Sequence, residues 1–438
     1  GVLNGVYDFL HRCLGWRFLP PDIDFLRSPD DEADIPEGYT YSHNPAYEYR
    51  QLDWVSTHSD EWREKNHVNF REFNWVYFVH TLSALAETND PWGQPCLSDE
   101  EVFKKVVKNV RKILDENPDC KIISVSQNDN QNYCKCEKCA AVDEEEGSHA
   151  GSLLRFVNRV ADEIKDDYPD VSIDPLAYQY TRKAPLITKP RDNVIIRLCS
   201  IECCFAHGLN DPDCEVNAAF KHDIIEWGKI SKRLYIWDYV TDFTYYIPPF
   251  PNWRVLRENL EFFADNHAAG MYPEGNYNSV SGEFGELRAH LLARAMWDPY
   301  MSDDEMNSYK EDFLRGYYGK GWREIEKFID FTLEHSEGRH MSIWQHPFEI
   351  IPRETYEKHE SEIDSWWDSA YASADEKEKE RIDRSRMQWE AVKLIMHPNQ
   401  EDGSKFYDKM KKYAVRWNEW RELKDGPDFS LPPTEWLK

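Results

Sequence analysis

The sequence lacks the features that mark several common protein classes. No window approaches about 18 consecutive apolar residues, so we predict no transmembrane helix and no membrane insertion. The phosphate-binding motifs GxxxxGK(S/T) and GxGxxG and the nucleophile motif GxSxG are also absent. These absences exclude the commonest NTPase, dehydrogenase and esterase interpretations.

Positive charge is scarce relative to negative charge. The chain has 53 Lys and Arg against 81 Asp and Glu, which gives a net charge of -28. A polyanion repels phosphate backbones and anionic lipid surfaces. We therefore expect no nucleic-acid partner, and composition alone does not indicate an oligomeric state.

Cysteine is sparse and aromatic residues are abundant. Ten Cys in 438 residues are too few for a disulfide scaffold. The 17 Trp, 24 Tyr and 21 Phe either fill a large core or provide flat rings that stack on the C–H faces of sugars. With 41% hydrophobic residues, the chain can form one large barrel with an accessory domain, or two to three ordinary domains.

The first residues predict an amphipathic helix that runs into a strand, from Gly1 to Arg17. The chain begins at Gly1 without an initiator Met, so we expect the natural protein to start upstream. Residues 22–46 are rich in Pro, Asp and Ser and predict an exposed connection.

From Tyr47 onward, short β-rich apolar runs alternate with helical stretches, which predicts a parallel sheet. The predicted strands are Tyr47–Leu52, Trp75–Val79, Ile122–Val125, Val171–Leu176, Val194–Leu198, Leu234–Trp237 and Gly270–Tyr272. The predicted helices between them are 99–117, 150–167, 215–230, 253–266 and 283–296. An eighth strand could lie within 54–74, and a doubly wound sheet is the alternative.

Nearly every predicted strand ends in polar or aromatic residues, and this favours a barrel over a doubly wound sheet. Active sites of (β/α)₈ barrels are built at these carboxyl ends. After Asp298-Pro299 the strands stop, and apolar residues at helical spacing predict helices at 303–317, 322–335, 352–372 and 375–396. We therefore predict an α/β fold with a (β/α)₈ TIM-type barrel over 46–299 and an α-helical C-terminal domain over 300–438.

The segment IISVSQNDN leads from an apolar strand into Asn128 and Asp129. At a barrel mouth, Asp129 could act as a general acid while Asn128 holds an amide or hydroxyl of the substrate. The alternative is an ordinary turn in which Asn and Asp bond their own backbone.

Glu202 is the second catalytic candidate. It follows an apolar strand in RLCSIECC and has Ile and Cys as neighbours. A partly desolvated carboxyl group in that setting suits proton transfer. The alternative is a Glu that pairs with a nearby Arg.

Eight further residues at strand ends are candidates for substrate contact. They are Arg50, His80, Tyr178, Trp237, Asp238, Tyr239, Glu274 and Asn276. The aromatic members either form the wall of a sugar subsite or pack in the core. Arg50, with Asp53 nearby, either grips sugar hydroxyls or offsets a carboxylate, and His80 is as readily explained by a structural role.

Three thiols follow Asp129 in the segment YCKCEKC, at Cys134, Cys136 and Cys139. Their C-x-C-x₂-C spacing is not a standard zinc spacing. A disulfide, a structural metal with a fourth ligand from Cys96, Cys203 or Cys204, and free thiols all remain open. Either crosslink would brace the loop that carries Asp129. We expect no catalytic metal and no cofactor, because the histidines are scattered.

Several long strings together resemble glycoside hydrolase family 163. They are SQNDNQNYCKCEKC, IRLCSIECCFAH, WDYVTDFTYYIPPFPNW, GEFGELRAHLLARAMWDP and FLRGYYG. The resemblance implies a bacterial retaining endo-β-N-acetylglucosaminidase that acts on complex N-glycans, with an oligosaccharide or glycoprotein glycan as partner and an extracytoplasmic location. The string YDFLHRCLGWRFLPP resembles the tail of a small α/β domain that precedes the barrel, which assigns 1–45 to that domain and a linker.

The architecture is also similar to glycoside hydrolase families 20 and 67. Family 20 barrels carry an Asp-Glu pair in which one residue orients the 2-acetamido group and the other protonates the leaving oxygen. The comparable residues are Asn128 and Asp129, so Glu202 is a second candidate for the nucleophile or the partner acid/base. The similarity also implies a sugar-gripping Arg50 and a hydroxyl-binding Glu274.

Fold alone does not fix function, so two other hypotheses stand beside this one. The first is a glycosidase of the same fold that acts on a uronic acid or a plant polysaccharide. The second is a catalytically silent carbohydrate-binding barrel.

Overall fold

The computed structural model describes residues 1–27, 35, 37–420 and 427–436. Residues 28–34 and 36 of the predicted connection 22–46 lie outside the described residues. The N-terminal segment forms α1 (Val2–Cys13) and an antiparallel pair of strands, β1 (Trp16–Leu19) and β2 (Ile23–Leu26). The helix and strand predicted from the first 17 residues are therefore both present.

The middle of the chain alternates between parallel strands and helices. The strands are β3 (Tyr49–Arg50), β4 (Trp75–Val76), β5 (Ile122–Ser124), β6 (Ser172–Asp174), β7 (Leu176–Ala177), β8 (Ile196–Cys199), β9 (Leu234–Tyr239) and β10 (Ala268–Glu274). The helices are α2 (Asp60–Lys65), α3 (Leu82–Leu85), α4 (Glu100–Glu116), α5 (Glu137–Glu146), α6 (Ala150–Ile164), α7 (Glu215–Ile230), α8 (Leu256–Asp265) and α9 (Gly285–Trp297). Each of the seven predicted strands contains observed strand residues.

The strands are ordered β3-β10-β9-β8-β7 in one ladder and β4-β5-β6 in another, and every pair is parallel. β6 and β7 are separated only by Pro175, so they form one extended segment that belongs to both ladders. Ile173 in this segment also pairs with Val194, just before β8. Beside the β1–β2 pair, the described part of the chain thus has seven parallel strand positions in a mixed α/β fold, with β6 and β7 counted as one. The rings of Tyr49 on β3 and Trp75 on β4 lie 5.4 Å apart.

The region 54–74, where an eighth strand could have been, holds α2 and two short 3₁₀ turns instead. Ser59 caps α2 by accepting a hydrogen bond from the backbone of Trp62, and Asp60 and Glu61 occupy the first turn. A cap of this kind and acidic residues at a helix start favour helix over strand.

Aromatic rings fill the space between the strands. Tyr49 stacks on Tyr235 at 5.2 Å. The guanidinium of Arg197 lies over the rings of Trp75 and Trp237, at 4.5 and 4.9 Å. Arg197 also pairs with the buried Asp174 at 2.6 Å, and burial raises the pKa of Asp174 to about 7. Partnering of this kind is what makes a buried cation tolerable.

The C-terminal part is helical, as the apolar periodicity predicts. Its helices are α10 (Asp303–Tyr318), α11 (Trp322–His335), α12 (Pro347–Ile350), α13 (Arg353–Ser373), α14 (Glu376–Met396) and α15 (Gln400–Tyr413). One hydrophobic core runs from Ile236 on β9 through Leu292 on α9 to Phe328 on α11. The division at residue 299 stays a prediction, and packing is continuous across it. None of the helices in the described ranges combines the length and apolar character that a bilayer span requires.

Candidate active site

The carboxyl ends of the parallel strands surround a cavity of about 770 Å³. Residues that end or follow β3, β4, β5, β7, β8, β9 and β10 all contribute to its lining. The rim is completed by Trp344, from the segment between α11 and α12, and by Glu419 and Trp420, which follow α15. The strand ends therefore gather at one place, as the pattern of polar strand ends predicts.

The cavity is strongly acidic. Five carboxyl side chains line it, and they are Asp53, Asp129, Glu202, Glu274 and Glu419. Its described lining contains neither lysine nor arginine, and His80 is its one titratable base. Seven of the predicted site residues line this cavity together: His80, Asp129, Tyr178, Glu202, Trp237, Tyr239 and Glu274.

Asp129 is held at the cavity by two donors from the end of β7. Its Oδ1 accepts hydrogen bonds from the hydroxyl of Tyr178 at 2.8 Å and from Nε2 of Gln179 at 3.2 Å. Burial raises the pKa of Tyr178, and the neighbouring Asp129 acts in the same direction, so the phenol remains a donor. Asp129 itself is exposed to the cavity and open to a substrate.

Glu202 also lines the cavity, and its surroundings differ from the expectation. Its side chain is 38% exposed and its Oε2 pairs with Arg182 at 3.0 Å. Arg182 in turn binds Asp223 at 2.7 Å. Of the two interpretations of Glu202, the structure shows the pairing with an Arg. The pair forms because Arg182 follows the turn after β7, next to the end of β8.

Glu274 is the buried carboxyl group of the cavity. Its Oε2 accepts a hydrogen bond of 2.8 Å from the indole of Trp237. Burial raises the pKa of Glu274 well above its usual value, and the negative charges of Glu419 and Asp53 act in the same direction. Burial therefore favours the protonated form of Glu274, which is in contact with the cavity.

His80 has a defined orientation. Its φ angle is +55°, in the left-handed region. Its Nδ1 lies 2.7 Å from the carbonyl oxygen of Gln127. Because a carbonyl can only accept, Nδ1 carries a proton and donates to it.

Arg50 and Asp238, both predicted to contact substrate, do not line the cavity. The guanidinium of Arg50 donates to the carbonyl oxygens of His67, at 2.8 Å, and Tyr47. Asp238 is buried and accepts a hydrogen bond of 2.6 Å from the hydroxyl of Ser200. Side chains alternate across a strand. Arg50 follows the inward-facing Tyr49, and Asp238 lies between two cavity residues of β9, so both face away from the cavity.

Asn128 and Asn276 are structural in this arrangement and also lie outside the cavity lining. The amide of Asn128 donates to the carbonyl oxygens of Gly93 at 2.6 Å and Pro91 at 3.2 Å. The amide of Asn276 donates to the carbonyl oxygen of Ser281 at 2.8 Å. Both amides hold loops in place, so neither is placed to bind a sugar.

Two cavity carboxyl groups were not among the predicted site residues: Asp53, named only as a neighbour of Arg50, and Glu419. Asp53 follows β3 and bridges to Glu274, and its Oδ2 accepts a 2.5 Å hydrogen bond from Tyr272. Asp53 follows a strand, as the predicted site residues do, and this position was the signal that could have identified it. Glu419 comes from beyond α15, and no local pattern in the sequence assigns it to the strand ends. Burial raises the pKa of Glu419, and Asp129 acts in the same direction.

The exposed tryptophans lie at the cavity rim. Of the 17 Trp side chains, three are exposed: Trp92 at 71%, Trp344 at 46% and Trp420 at 57%. All three line this cavity, although they come from separate segments of the chain. Exposing a large ring costs solvation free energy, so three such rings around one opening indicate a surface that a ligand covers.

The cysteine cluster near Asp129 contains a fourth thiol. Cys96 Sγ lies 3.7 Å from Cys136 Sγ and 4.0 Å from Cys139 Sγ. These distances far exceed the ~2.05 Å of a disulfide bond, so the thiols are unbonded. Of the three possible fourth residues, Cys96 is the one that joins the cluster.

Among solved structures, the chain is similar at low scores to three glycoside hydrolases. A family 138 enzyme targeting pectin rhamnogalacturonan II is 10% identical, with a TM-score of 0.41, and the match covers 85% of this chain and 76% of that one. A family 89 glycoside hydrolase from Clostridium perfringens in complex with PUGNAc is 12% identical, with a TM-score of 0.43, and the match covers 93% and 58%. A family 5 glycoside hydrolase from Prevotella bryantii B14 is 12% identical, with a TM-score of 0.33, over 57% and 80%.

No curated protein matches the chain by sequence. A family model matches residues 24–330, which is more than half of the chain. The protein therefore belongs to the family described as DUF4838, a domain of unknown function.

Proposed function

We propose that this protein is a glycoside hydrolase whose active site is the acidic cavity at the strand ends. One observation carries the proposal: five carboxyl groups and the three exposed tryptophans meet in that cavity. Glycoside hydrolysis uses a pair of carboxyl groups on either side of the scissile bond. Aromatic rings hold sugars by their apolar faces. A catalytically silent binding barrel would not require so many carboxyl groups in one place.

We assign complementary roles to the carboxyl groups. Glu274 supplies the acid that protonates the leaving oxygen, because burial raises its pKa well above its usual value. Asp129 accepts two hydrogen bonds and Glu202 pairs with Arg182, so both act as carboxylates that orient the substrate and stabilise positive charge at the anomeric carbon. Asn128 faces away from the cavity, so the Asn128-Asp129 pair cannot share these roles.

The finer proposal is a retaining endo-β-N-acetylglucosaminidase that acts on complex N-glycans. The sequence resemblance to family 163 supports it. The cavity supports it too, because aromatic walls and an acceptor carboxylate at Asp129 suit a 2-acetamido group. The described lining has no lysine or arginine to bind a uronic acid. An N-glycan substrate also implies an extracytoplasmic location.

We also propose that the parallel strands close into a barrel. In space, the seven strand positions follow the order β3, β10, β9, β8, β7 with β6, β5 and β4. The first and last of them, β3 and β4, are in contact through the rings of Tyr49 and Trp75. We propose that these strands form a (β/α)₈-type barrel with one strand position replaced by the α2 segment.

The test is a product analysis on an intact glycoprotein with biantennary N-glycans. We expect released glycan and a single GlcNAc left on Asn, detected by mass spectrometry of tryptic glycopeptides. Asp129→Asn and Glu202→Gln should each reduce the rate of release by at least about 100-fold. Asp166→Asn, an exposed carboxyl after α6, is the control and should release glycan at the wild-type rate.

Three results would contradict parts of the proposal. Near-normal turnover by Asp129→Asn would overturn the assignment of the site. Hydrolysis of a uronide or a plant polysaccharide in place of the N-glycan would overturn the specificity while keeping the glycosidase. Sugar binding without hydrolysis of any glycan tested would favour the silent binding barrel.

A further inference from the structure

A second cluster of metal-binding side chains lies away from the cysteines near Asp129. It consists of Cys204, His207, Cys214 and His340, whose ligand atoms all lie within 4.8 Å of one another. Cys204 Sγ is 3.3 Å from Nδ1 of His207 and 3.4 Å from Nδ1 of His340. Cys214 Sγ is 3.9 Å from Nδ1 of His340. Cys204 and Cys214 are buried.

The first cluster is made of thiols alone. Cys96, Cys134, Cys136 and Cys139 also have all four sulfur atoms within 4.8 Å of one another. Neither group follows a familiar linear motif, because each draws one ligand from a distant segment. Cys96 is 40 residues from Cys136, and His340 is 136 residues from Cys204.

The spacing of these atoms matches tetrahedral zinc coordination. With Zn–S bonds of ~2.3 Å and Zn–N bonds of ~2.0 Å, neighbouring ligand atoms of a tetrahedron lie ~3.8 Å apart for two sulfurs and ~3.5 Å apart for sulfur and nitrogen. The observed sulfur pairs are 3.7 and 4.0 Å apart. Four-Cys and two-Cys, two-His sets are those that structural zinc prefers. We propose that this protein binds two structural zinc ions, one in each cluster.

Both sites are structural and not catalytic. Each has four protein ligands, which leaves no open coordination position for a substrate or water. None of the eight ligands lines the acidic cavity. The ions would therefore act through the loops that their ligands hold.

Each ion joins a loop with a cavity carboxylate to a loop with a rim tryptophan. In the four-Cys site, Cys96 follows the Trp92 loop and Cys134 follows Asp129. Gln94 already links these loops, because its Nε2 donates to the carbonyl oxygen of Asn128 at 2.8 Å.

The second site repeats this arrangement on other strands. Cys204 follows Glu202 by two residues, and His340 precedes Trp344 by four. The backbone nitrogen of Phe205 donates to the carbonyl oxygen of Met341 at 2.9 Å, which places the two loops side by side.

Metal content measures this proposal without reference to hydrolysis. The protein is produced in zinc-supplemented medium and dialysed against buffer without chelator. Elemental analysis by inductively coupled plasma mass spectrometry should then find about two zinc ions per chain. Cys136→Ser and His340→Ala should each contain about one, because each removes one ligand of one site. Cys13 lies outside both clusters, so Cys13→Ser is the control and should keep about two zinc ions per chain.

Stripping the metal should also lower thermal stability, because zinc binding free energy contributes to the stability of the fold it organises. We expect the wild-type unfolding temperature to fall by roughly 5 °C or more with a strong chelator and to recover on zinc addition. In each single-site variant the chelator should cause a smaller fall.

Three outcomes would overturn the proposal. They are wild-type protein with less than about 0.2 zinc per chain, an intact mass that shows disulfides among the cluster cysteines, and iron in place of zinc in the four-Cys site. Since zinc is counted directly, a failed glycan assay with about two zinc ions bound would refute only the proposed function. Normal glycan release by protein that contains no zinc would refute only the proposed metal sites.

Discussion

Among single residues, Glu274 is a carboxyl group of the cavity whose pKa burial raises well above its usual value. It is 7% exposed, it accepts one hydrogen bond from an indole, and two other carboxyl groups of the cavity raise its pKa. Asp129, on the same cavity, is exposed and accepts two hydrogen bonds. Environments that differ this much allow acid and carboxylate roles to be divided within one site.

Glu274→Gln tests the proton-donor role. The substitution keeps an oxygen that accepts from Trp237 and removes the acidic proton. We expect kcat/KM to fall by at least about 100-fold and the alkaline limb of the pH–rate profile to disappear. Substrates with a good leaving group should be affected less, since they need less protonation.

The matched control is Glu258→Gln on α8, outside the cavity lining, which should keep the wild-type profile. A Glu274→Gln enzyme with an unchanged alkaline limb would mean that another group supplies the proton.

Trp92 offers a second residue-scale test. Its ring is the most exposed of the tryptophans, so its removal disturbs little packing. We expect Trp92→Ala to raise KM about 5-fold and to change kcat by less than about 2-fold, because a stacking ring binds ground state and transition state alike. Tyr371→Ala, an exposed aromatic on α13 outside the cavity lining, should change neither constant. An unchanged KM for Trp92→Ala would remove the rim from the proposed binding site.

Among the structural elements, the loops after β4 and β5 have to be held together for the cavity to form. Asn128 does much of this, because its amide donates to Gly93 and Pro91 and its backbone nitrogen donates to Gln94 at 3.1 Å. The sequence suggests that Asn128 contacts the substrate, but in the structure its hydrogen bonds hold two loops together.

Asn128→Ala should destabilise the fold by about 2 kcal/mol, since it removes the hydrogen bonds that the buried Asn128 amide donates to the loop at Pro91 and Gly93. Urea unfolding measures this free energy. Asn132→Ala, an exposed neighbour in the same loop, should have little effect. If Asn128 bound substrate instead, its loss would raise KM and leave the free energy of unfolding unchanged.

At the scale of the whole molecule, the chain carries a charge of -28 and still buries several carboxyl groups. Asp238 is buried, no cation among the described residues pairs with it, and burial raises its pKa to about 6. In the unfolded chain this carboxyl titrates near its usual value of about 4. The folded state therefore binds more protons in that window, and Asp238 makes stability rise as pH falls from above 6 towards 4.

Asp238→Asn should remove this pH dependence. At pH about 8 the variant should be more stable than wild type by about 2 kcal/mol, because wild type carries a buried charge there. At pH about 4 the gain should vanish, since the wild-type carboxyl is protonated when folded. Urea midpoints at both pH values measure the difference, and Asp166→Asn should show no such change. An equal gain at both pH values would attribute the effect to packing and not to ionisation.

The sequence by itself determined the alternation of strands and helices, the helical C-terminal part and the gathering of polar strand ends. These depend on short-range periodicity, which an apolar run and its caps specify locally. Asp129, Glu202 and Glu274 were therefore identifiable before the structure.

Only the tertiary structure decided which face of each strand a side chain occupies and which distant segments reach the strand ends. A shift of one residue moves a side chain to the other face, so Arg50 faces away while Asp53, three residues on, lines the cavity. Glu419 and His340 join clusters around the strand ends through packing over long sequence separations, and no local pattern encodes such contacts.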